Sequence, residues 1–447
     1  MFDVPFRTLR CSLLGLAVAA ALSAAQAEAV NAVAVDAAPV DAAPAGAAPA
    51  LSLSQALDLA LVHNPGLRAA RQAQAASEGA VLQSQARPNP ELAYSQEDTR
   101  SSTRSVTLQW NQTVEVGGKR AARMRVAERG RDVAQAELAA AEATLRADVR
   151  AAFFGLLAAQ QRVSLAGQTL EIARSAREAA AKRVAAGKIA PLEETKARVA
   201  ESGAQLELAQ AQSGLRVARS QMKALWGEAL RPFGEAMGEG SGGVDALPEV
   251  PALETLQQRL EQAPALLRAR QALAQSRATA ELERARRLPD PTLSLGVKRA
   301  TEVGRNQLVV GVSVPLPLLD SNRGNQLQAL RLADRAEDEL QATRIQLQTQ
   351  LFEAREQLQA SSQQARLLAG EVLPTARTAY ELAARGFALG KFSYLDVLDA
   401  QRTWSEARRQ YLEQLLATQR AAADIDRLLG AEPSPLSTVP ASDRSTP

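Results

Sequence analysis

The chain has 447 residues, of which 3% are aromatic, and it carries 52 basic and 49 acidic residues for a formal net charge of +3. So few aromatic residues, in a chain rich in Ala, Leu, Gln, Glu and Arg, exclude several ordinary globular cores and favour long helices packed side by side. The balanced charge excludes the concentrated basic face of a nucleic-acid-binding protein.

The first residues predict export from the cytoplasm. Basic residues precede an apolar run, and Ala25-Gln26-Ala27 matches an A-x-A cleavage site, so residues 1–27 are predicted to be a secretory signal peptide. The single cysteine, Cys11, lies inside this segment, so the mature chain is expected to have no thiol and no lipidated cysteine. The Ala- and Pro-rich residues 28–50 are predicted to be a flexible linker.

The rest of the chain contains an internal duplication with a period of about 200 residues, far longer than solenoid repeats of about 20–50 residues. Arg87-Pro88-Asn89-Pro90-Glu91-Leu92 returns as Leu288-Pro289-Asp290-Pro291-Thr292-Leu293, and Gly187-Lys188-Ile189-Ala190-Pro191-Leu192-Glu193 returns as Gly390-Lys391-Phe392-Ser393-Tyr394-Leu395-Asp396. The predicted organisation is a first repeat over 51–231, a Gly- and Pro-rich linker over 232–251, a second repeat over 252–430 and a disordered tail over 431–447.

The first repeat is predicted to contain helices, a β-hairpin and then a long helical hairpin. Prolines stop the first helix, alternation of apolar and polar residues marks the strands, and a glycine separates the two long helices. The predicted elements are a helix from about Ser54 to Ala86 with a break at Asn64-Pro65, strands over 91–97 and 105–116, a helix from Lys119 to Ala186, and a return helix from Pro191 to Trp226. The first long helix, of roughly 67 residues, would extend about 100 Å.

The second repeat is predicted to follow the same plan. Its elements are helices over 252–287, strands over 292–298 and 307–314, a long helix from about Asn325 to Leu389, and a return helix from about Ser393 to Leu429. Pro374 interrupts the long helix and is expected to bend it or to mark a junction between packed segments. The chain is thus predicted to be a pair of helical hairpins, each with a small β-hairpin at its far end.

The four strands raise the question of what their apolar faces contact. Alternation over about ten residues is typical of outer-membrane strands. Four strands cannot close a barrel, and an open sheet edge is not tolerated in lipid, so several chains would have to pool their strands. Three chains would give twelve strands around an aqueous lumen. The pattern alone leaves open the alternative of soluble β-hairpins within a helical protein.

Three segments resemble the TolC-type outer-membrane efflux proteins. Residues 112–120 (QTVEVGGKR) and 314–324 (VPLPLLDSNRG) are similar to the strand-to-helix segments of that family, and residues 388–401 (ALGKFSYLDVLDAQ) are similar to its helix-hairpin tip. The resemblance covers nearly all of 51–430, including the duplication. The Gly-Gly-Lys-Arg and Pro-Leu-Pro-Leu forms look most like the heavy-metal-efflux, CzcC-like branch.

The resemblance implies a mainly α protein with a small β part, a TolC-like α/β-barrel whose twelve-stranded barrel is completed only by trimerisation. It implies a homotrimer in outer-membrane lipid, with a long periplasmic helical tunnel that docks to a periplasmic adaptor and an inner-membrane resistance-nodulation-division pump. Such a duct would export divalent heavy metals such as cobalt, zinc, cadmium or nickel. The alternatives are a drug-efflux or type I secretion duct of the same fold, or a periplasmic coiled-coil scaffold or adaptor.

Two carboxylates match in spacing the acidic pair that lines the closed periplasmic entrance in this family. Asp396 and Asp399 would each form a ring of three carboxylates in a trimer, and such rings select cations. The alternative is structural, because Ser393 and Asp396 also form an S-x-x-D capping pattern. The first repeat has Glu193 and Lys196 at these positions, so the acidic pair is not duplicated.

The hairpin tips are the second candidate site. The resemblance implies that small and basic side chains there contact an adaptor, and these residues are Arg183, Gly187, Lys188, Arg385, Gly390 and Lys391. The alternative for the two glycines is an ordinary helix C-cap.

Tyr94 and Trp110 are predicted either to join a membrane-interface aromatic belt or to pack on neighbouring strands. Trp226 and Trp404, on helices, are predicted to be packing anchors.

The sequence favours neither an enzyme nor a resident cofactor. His63 is the single histidine, so a Ser–His or Cys–His catalytic pair is not supported, and the glycines form no phosphate-binding loop. One histidine and no mature cysteine cannot build a high-affinity site for soft metals. We therefore expect exported metals to pass as solvated ions.

Overall fold

The computed structural model describes residues 50–227, 233–238 and 247–430. The predicted signal peptide, nearly all of the 28–50 linker, the 431–447 tail and part of the 232–251 linker lie outside these ranges. The elements are α1 (Leu53–His63), α2 (Pro65–Ser84), β1 (Glu91–Glu97), β2 (Ser105–Thr113), α3 (Lys119–Ala185), α4 (Pro191–Ala224), α5 (Leu253–Leu260), α6 (Pro264–Ala285), β3 (Thr292–Ala300), β4 (Arg305–Ser313), α7 (Arg323–Leu367), α8 (Leu373–Ala388) and α9 (Tyr394–Leu429).

The predicted break at Asn64-Pro65 separates α1 from α2, and Asn64 serves both helices. Its backbone N–H closes the last turn of α1, and its side-chain Oδ1 accepts a hydrogen bond of 2.8 Å from the Leu67 N–H at the start of α2. Pro65 fits the first turn because its missing N–H has no helical partner there. The Asn64 Nδ2 group donates to the Leu225 carbonyl at 2.7 Å, which fixes this break against the end of α4.

The long helix of the second repeat is divided as predicted at Pro374. Residues Leu368–Val372 form a π-helical turn between α7 and α8, and Pro374 lies in the first turn of α8. A proline cannot donate a helical hydrogen bond, and a widened turn before it accommodates the loss. The corresponding helix of the first repeat, α3, has no proline and runs unbroken for 67 residues, about 100 Å at 1.5 Å per residue.

The two β-hairpins form one antiparallel sheet with the strand order β1-β2-β3-β4. The repeats join through β2 and β3, where Trp110 pairs with Leu295 and Leu108 with Val297. Strand β2 ends at Thr113 instead of the predicted Val116, because the Val116 N–H donates to Asp290 Oδ1 and the chain then turns at Gly117. The outer edges of β1 and β4 pair with no other strand of the described chain.

The two largest apolar cores of the described residues stabilise the helical part. The first contains Leu51, Phe153, Phe154, Met222 and Trp226, and the second contains residues of α5, α6, α7 and α9. Helix α9 contributes to both cores, so it packs the two repeats together. No helix in the described ranges combines the length and apolarity required to cross a membrane.

Candidate functional site

The sheet has one apolar face and one polar face. The apolar face is exposed over all four strands, and it consists of Leu92, Tyr94, Leu108, Trp110, Leu293, Leu295, Val297, Leu308, Val310 and Val312. On the opposite face, Gln109 Nε2 and Ser294 Oγ both donate to Asn111 Oδ1, at 2.9 and 2.8 Å. A sheet with this division suits a position between lipid and water.

Tyr94 and Trp110 both lie on the apolar face, in adjacent rows. Trp110 pairs with Leu92 and Leu295 in the middle row, whereas Tyr94 pairs with Leu108 one row nearer the hairpin turns. The Tyr94 hydroxyl donates to Gln96 Oε1 at 3.1 Å, in the next, polar row. Tyr94 therefore has the apolar ring and polar contact of an interfacial residue, and Trp110 lies deeper in the apolar band.

The two hairpin tips use the same backbone motif. At each tip a glycine with positive φ ends the first helix, with φ of 65° at Gly187 and 74° at Gly390. The following lysines, Lys188 and Lys391, donate from their backbone N–H groups to Arg183 O at 2.9 Å and to Gly386 O at 2.8 Å. These are Schellman caps, which favour glycine because other residues are strained at such φ values. Both glycines thus have the helix C-cap role that was the structural alternative.

Arg183 connects the two tips to each other. Its Nη2 group donates to the Phe387 carbonyl at 2.9 Å, and its guanidinium lies 4.0 Å from the centroid of the Phe387 ring. The Arg385 side chain is 76% exposed, and Lys188 and Lys391 are also exposed. The structure therefore places Arg183 in an intramolecular contact and leaves the other three basic side chains at the surface.

Asp396 caps α9. Its Oδ2 atom accepts hydrogen bonds from the Ser393 N–H at 2.8 Å and the Ser393 hydroxyl at 2.9 Å, and Ser393 Oγ accepts one from the Asp396 N–H at 3.3 Å. The alternative reading of Asp396 as a capping residue is confirmed. Because its carboxylate is exposed, this contact leaves one oxygen facing solvent.

Asp399 lies one helical turn further along and lines a groove between α4 and α9. The groove has a volume of about 440 Å³, and its lining includes Lys196 and Arg402. Lys196 also forms an ion pair with Glu193 at 3.3 Å. The positions that differ between the repeats, Glu193 and Lys196 against Asp396 and Asp399, are thus neighbours at the same end of the molecule.

Three contacts were not predicted from the sequence. Arg150 of α3 is buried and donates to Asp426 of α9. Trp404 stacks on Tyr380 with a centroid distance of 5.3 Å and an angle of 12°, and Arg408 lies over the Trp404 ring. Arg150 and Asp426 lie on helices that are remote in sequence. Tyr380 and Trp404 lie on the consecutive helices α8 and α9, and Arg408 is one turn from Trp404 on α9. His63 is exposed at the end of α1.

Burial and the neighbouring arginines shift the pKa of Asp426 in opposite directions. Burial raises the pKa of Asp426 above its usual range, and the charges of Arg150 and Arg259 partly offset that rise. Burial likewise raises the pKa of Asp148, on α3. Both carboxylates lie in the helical part, and Asp148 lines a groove that also contains residues of α4 and α9.

A sheet with an exposed apolar face and two unpaired edges, attached to long helices of which α3 extends about 100 Å, is the arrangement expected of a subunit of a membrane duct. A single copy has too few strands to close a barrel, and lipid does not tolerate open edges, so the barrel is completed by association. The sequence comparisons agree with this class. The profile of the family described as outer membrane efflux protein matches residues 56–228 and 255–431.

The chain therefore belongs to the outer membrane efflux protein family, a class of transport channels. The TolC-like fold predicted from the sequence is confirmed, as is the location in the outer membrane with a long periplasmic helical extension. Outer-membrane channels of tripartite pumps function as trimers with adaptor and inner-membrane pump partners.

Individual relatives match the chain over different lengths. The chain is 48% identical over 380 residues to the cobalt-zinc-cadmium resistance protein CzcC of Cupriavidus metallidurans, covering 85% of this chain and 90% of that protein. It is 28% identical over 249 residues to the nickel-cobalt-cadmium resistance protein NccC of Alcaligenes xylosoxydans xylosoxydans, covering 55% and 54%. The solved structure of CusC, a transmembrane channel, superposes with a TM-score of 0.73 at 19% identity, covering 85% and 92%.

Proposed function

We propose that the chain forms the homotrimeric exit duct of a tripartite resistance-nodulation-division efflux system that exports divalent heavy-metal cations. The observation that supports a duct is the division of the sheet into an apolar and a polar face. The cargo is supported by the similarity to the cobalt-zinc-cadmium and nickel-cobalt-cadmium resistance proteins. Twelve strands from three chains would enclose a lumen lined by the polar face. The repeats at 51–231 and 252–430 would each contribute one helical hairpin to the tunnel wall.

The cargo is tested by a deletion strain exposed to metals and to drugs. Loss of growth on cobalt, zinc, cadmium or nickel, restored by the intact gene, is the expected result. Sensitivity to drugs or dyes alone would instead assign the chain to a drug-efflux duct of the same fold. Recovery of the protein as a soluble periplasmic monomer would contradict the duct and support the scaffold alternative.

We propose that Asp399, together with Asp396, lines the periplasmic entrance as rings of carboxylates. Asp399 is the cleaner probe, because Asp396 also caps α9 and its loss would disturb the helix start. Asp399→Asn is expected to weaken cation preference in planar bilayers, since three negative charges disappear from the entrance. Asp334→Asn is the matched control, because Asp334 is an exposed aspartate in the part of α7 near the sheet and its replacement removes the same charge away from the tips. Equal ion selectivity in the Asp399→Asn variant and the parent channel would contradict the gate.

We propose that the exposed basic side chains Lys188, Arg385 and Lys391 contact the adaptor at the hairpin tips, next to Gly187 and Gly390. Replacing the three by Glu reverses the local charge without altering either Schellman cap, because the caps use backbone groups. The variant is expected to lose co-purification with the adaptor, whereas Lys223→Glu at the far end of α4 should retain it. Arg183 would act indirectly, by positioning the two tips relative to each other.

A further inference from the structure

The apolar band on the sheet is too short for a membrane. Its rows extend from Leu293 to Val297 on β3, four residues or about 14 Å along the strand, and a tilt of roughly 40° reduces this to about 10 Å along the membrane normal. The apolar belt of an outer-membrane barrel is about 25 Å tall. The next row toward the hairpin turns is mostly polar, with Arg299 paired with Val106 and Asn306. The larger exposed apolar surface lies at the opposite end, where the helices begin.

The connector between β4 and α7 provides such a surface. On β4 the apolar side chains Leu308, Val310 and Val312 alternate with others, and the same spacing continues beyond the strand in Val314, Leu316 and Leu318. We call residues 314–319 the leucine connector. Leu316, Leu318 and Leu319 are 74%, 83% and 104% exposed, which makes the connector more exposed than the sheet face that it extends.

The backbone of the leucine connector is suited to a medium of low polarity. Pro315 and Pro317 have no N–H group, and the Leu318 N–H donates to the Leu316 carbonyl at 2.9 Å. The prolines thus remove two of the six backbone donors and Leu318 uses a third, which lowers the cost of leaving bulk water. The remaining N–H groups require polar partners, so the segment suits the headgroup boundary and not the hydrocarbon centre. The two prolines also prevent this segment from continuing as a regularly hydrogen-bonded strand beside another chain.

The fold holds the connector in its outward position. Asn322, three residues after the leucine connector and with a φ of 57°, donates from Nδ2 to the Glu283 carbonyl at 3.0 Å and to Glu283 Oε2 at 2.9 Å. Glu283 is a buried residue of α6. Strand β4 fixes the other side, so the chain is anchored before and after the leucine connector while its leucines remain exposed.

The equivalent connector of the first repeat, between β2 and α3, has no exposed leucines. This connector, residues 114–118, has five residues, whereas residues 314–322 provide nine. The short connector is drawn inward: Glu115 pairs with Arg123, and a Cβ atom at Gly117 would meet the Leu288 side chain at 2.7 Å. The outward leucines are thus specific to the second repeat and are not a requirement of every strand-to-helix junction.

We propose that the leucine connector inserts into the periplasmic leaflet of the outer membrane, where its leucines contact phospholipid acyl chains close to the headgroups. It would extend the apolar band on the side of the helices, once per chain and three times around a trimer. The inference depends on the outer-membrane location and barrel described above. It adds a lipid contact that begins where the sheet ends, in a segment that is neither strand nor helix.

The test uses environment-sensitive fluorophores on single cysteines in a Cys11→Ala background of the full chain. The labelled positions are Leu319→Cys in the connector, Val310→Cys in the middle of the sheet face, and Lys188→Cys at the first hairpin tip. The trimer is reconstituted in phosphatidylethanolamine and phosphatidylglycerol vesicles containing nitroxide lipids with the quencher either high or low on the acyl chain. The label at 319 should be quenched most by the shallow nitroxide, the label at 310 most by the deep one, and the label at 188 by neither.

The possible failures are distinguishable. If the label at 310 is quenched but the label at 319 is not, the leucine connector lies outside the lipid and the inference is wrong. An unquenched 319 label that nevertheless becomes shielded from aqueous iodide when the trimer forms would show that a second copy of the chain covers the leucines, which also overturns the inference. If neither 310 nor 319 is quenched, the outer-membrane duct itself is contradicted.

Discussion

The buried pair between Arg150 and Asp426 provides a sharp test of how the repeats are held together. Arg150 lies on α3 of the first repeat with a side chain that is 8% exposed, and Asp426 lies on α9 of the second with 25% exposed. Removing one partner of a fully buried pair costs about 3–5 kcal/mol, because the remaining charge has no compensation. Asp426 is partly exposed, so we expect Arg150→Met to lower the free energy of unfolding by about 2–3 kcal/mol per chain.

The loss should depend on pH in a definite direction. Burial raises the pKa of Asp426 and Arg150 opposes this, so the variant should raise that pKa further. A folded chain with a raised carboxyl pKa binds a proton more readily than the unfolded chain, whose Asp pKa is about 3.9. Stability is therefore lost as pH rises from the unfolded pKa through the folded pKa, and it is regained on acidification. The deficit of Arg150→Met should be larger at neutral pH than at mildly acidic pH.

Thermal unfolding of the detergent-solubilised protein, followed by helical circular dichroism, measures this effect. At about 2 °C per kcal/mol for a large chain, Arg150→Met should lower the Tm by roughly 4–6 °C at neutral pH. Arg331→Met is the matched control, because Arg331 pairs with Asp334 at 3.0 Å with both side chains exposed by more than half, and such surface pairs contribute about 0–1 kcal/mol. The double variant Arg150→Met/Asp426→Leu should recover most of the loss. Equal Tm values for the two single variants, or a deficit that grows on acidification, would refute the reasoning.

Three further substitutions test the packing near the tips. Gly386→Ala would place a Cβ atom 2.1 Å from the Phe392 ring, so it should cost about 1–3 kcal/mol, whereas Gly203→Ala, with no neighbour within 4 Å, should raise the Tm slightly. Asp396→Ala should cost about 1 kcal/mol by removing the cap of α9, seen as faster amide exchange confined to its first turn, and unchanged exchange would contradict the capping role. Trp404→Ala removes the stack on Tyr380 and should lower the stability by about 2–3 kcal/mol, whereas Trp404→Phe should retain most of it; equal Tm values for the two variants would argue against stacking.

The sequence predicts the order and bounds of the elements well, because proline and glycine mark almost every boundary. The break at Asn64-Pro65, the junction at Pro374 and the caps at Gly187 and Gly390 depend on local chemistry, and each is present in the structure. The predicted end of β2 lies three residues beyond the observed one. The strand stops early because the Val116 N–H bonds to Asp290, which is 174 positions away in the sequence. No local pattern reports such a contact.

The same distinction applies to the candidate site. The capping role of Asp396 follows from four consecutive residues and was predicted as an alternative, whereas the contact of Arg183 with Phe387 joins the two repeats and was not. Arg183 is a basic residue at a tip, but its guanidinium is held within the chain by the carbonyl and ring of Phe387. Composition and spacing therefore identify the surface, and the fold decides which of its charges remain available to a partner.

The duplication explains the framework of the protein, and the departures from it locate its specialised surfaces. The shared features, Schellman caps at both tips and strands of matching pattern, are those that any helical hairpin attached to a β-hairpin requires. At the tips, Glu193 of the first repeat forms an ion pair with Lys196, whereas the Asp396 carboxylate of the second repeat accepts hydrogen bonds from Ser393. At the junction with the sheet, the first repeat draws its connector inward while the second exposes three leucines. Both departures place the distinctive side chains on the second repeat, one pair at the periplasmic end and one cluster beside the membrane. Because a structural requirement common to both repeats would have produced the same residues twice, we expect contacts outside the chain at these two surfaces, with Asp399 as the acidic residue that no capping role explains.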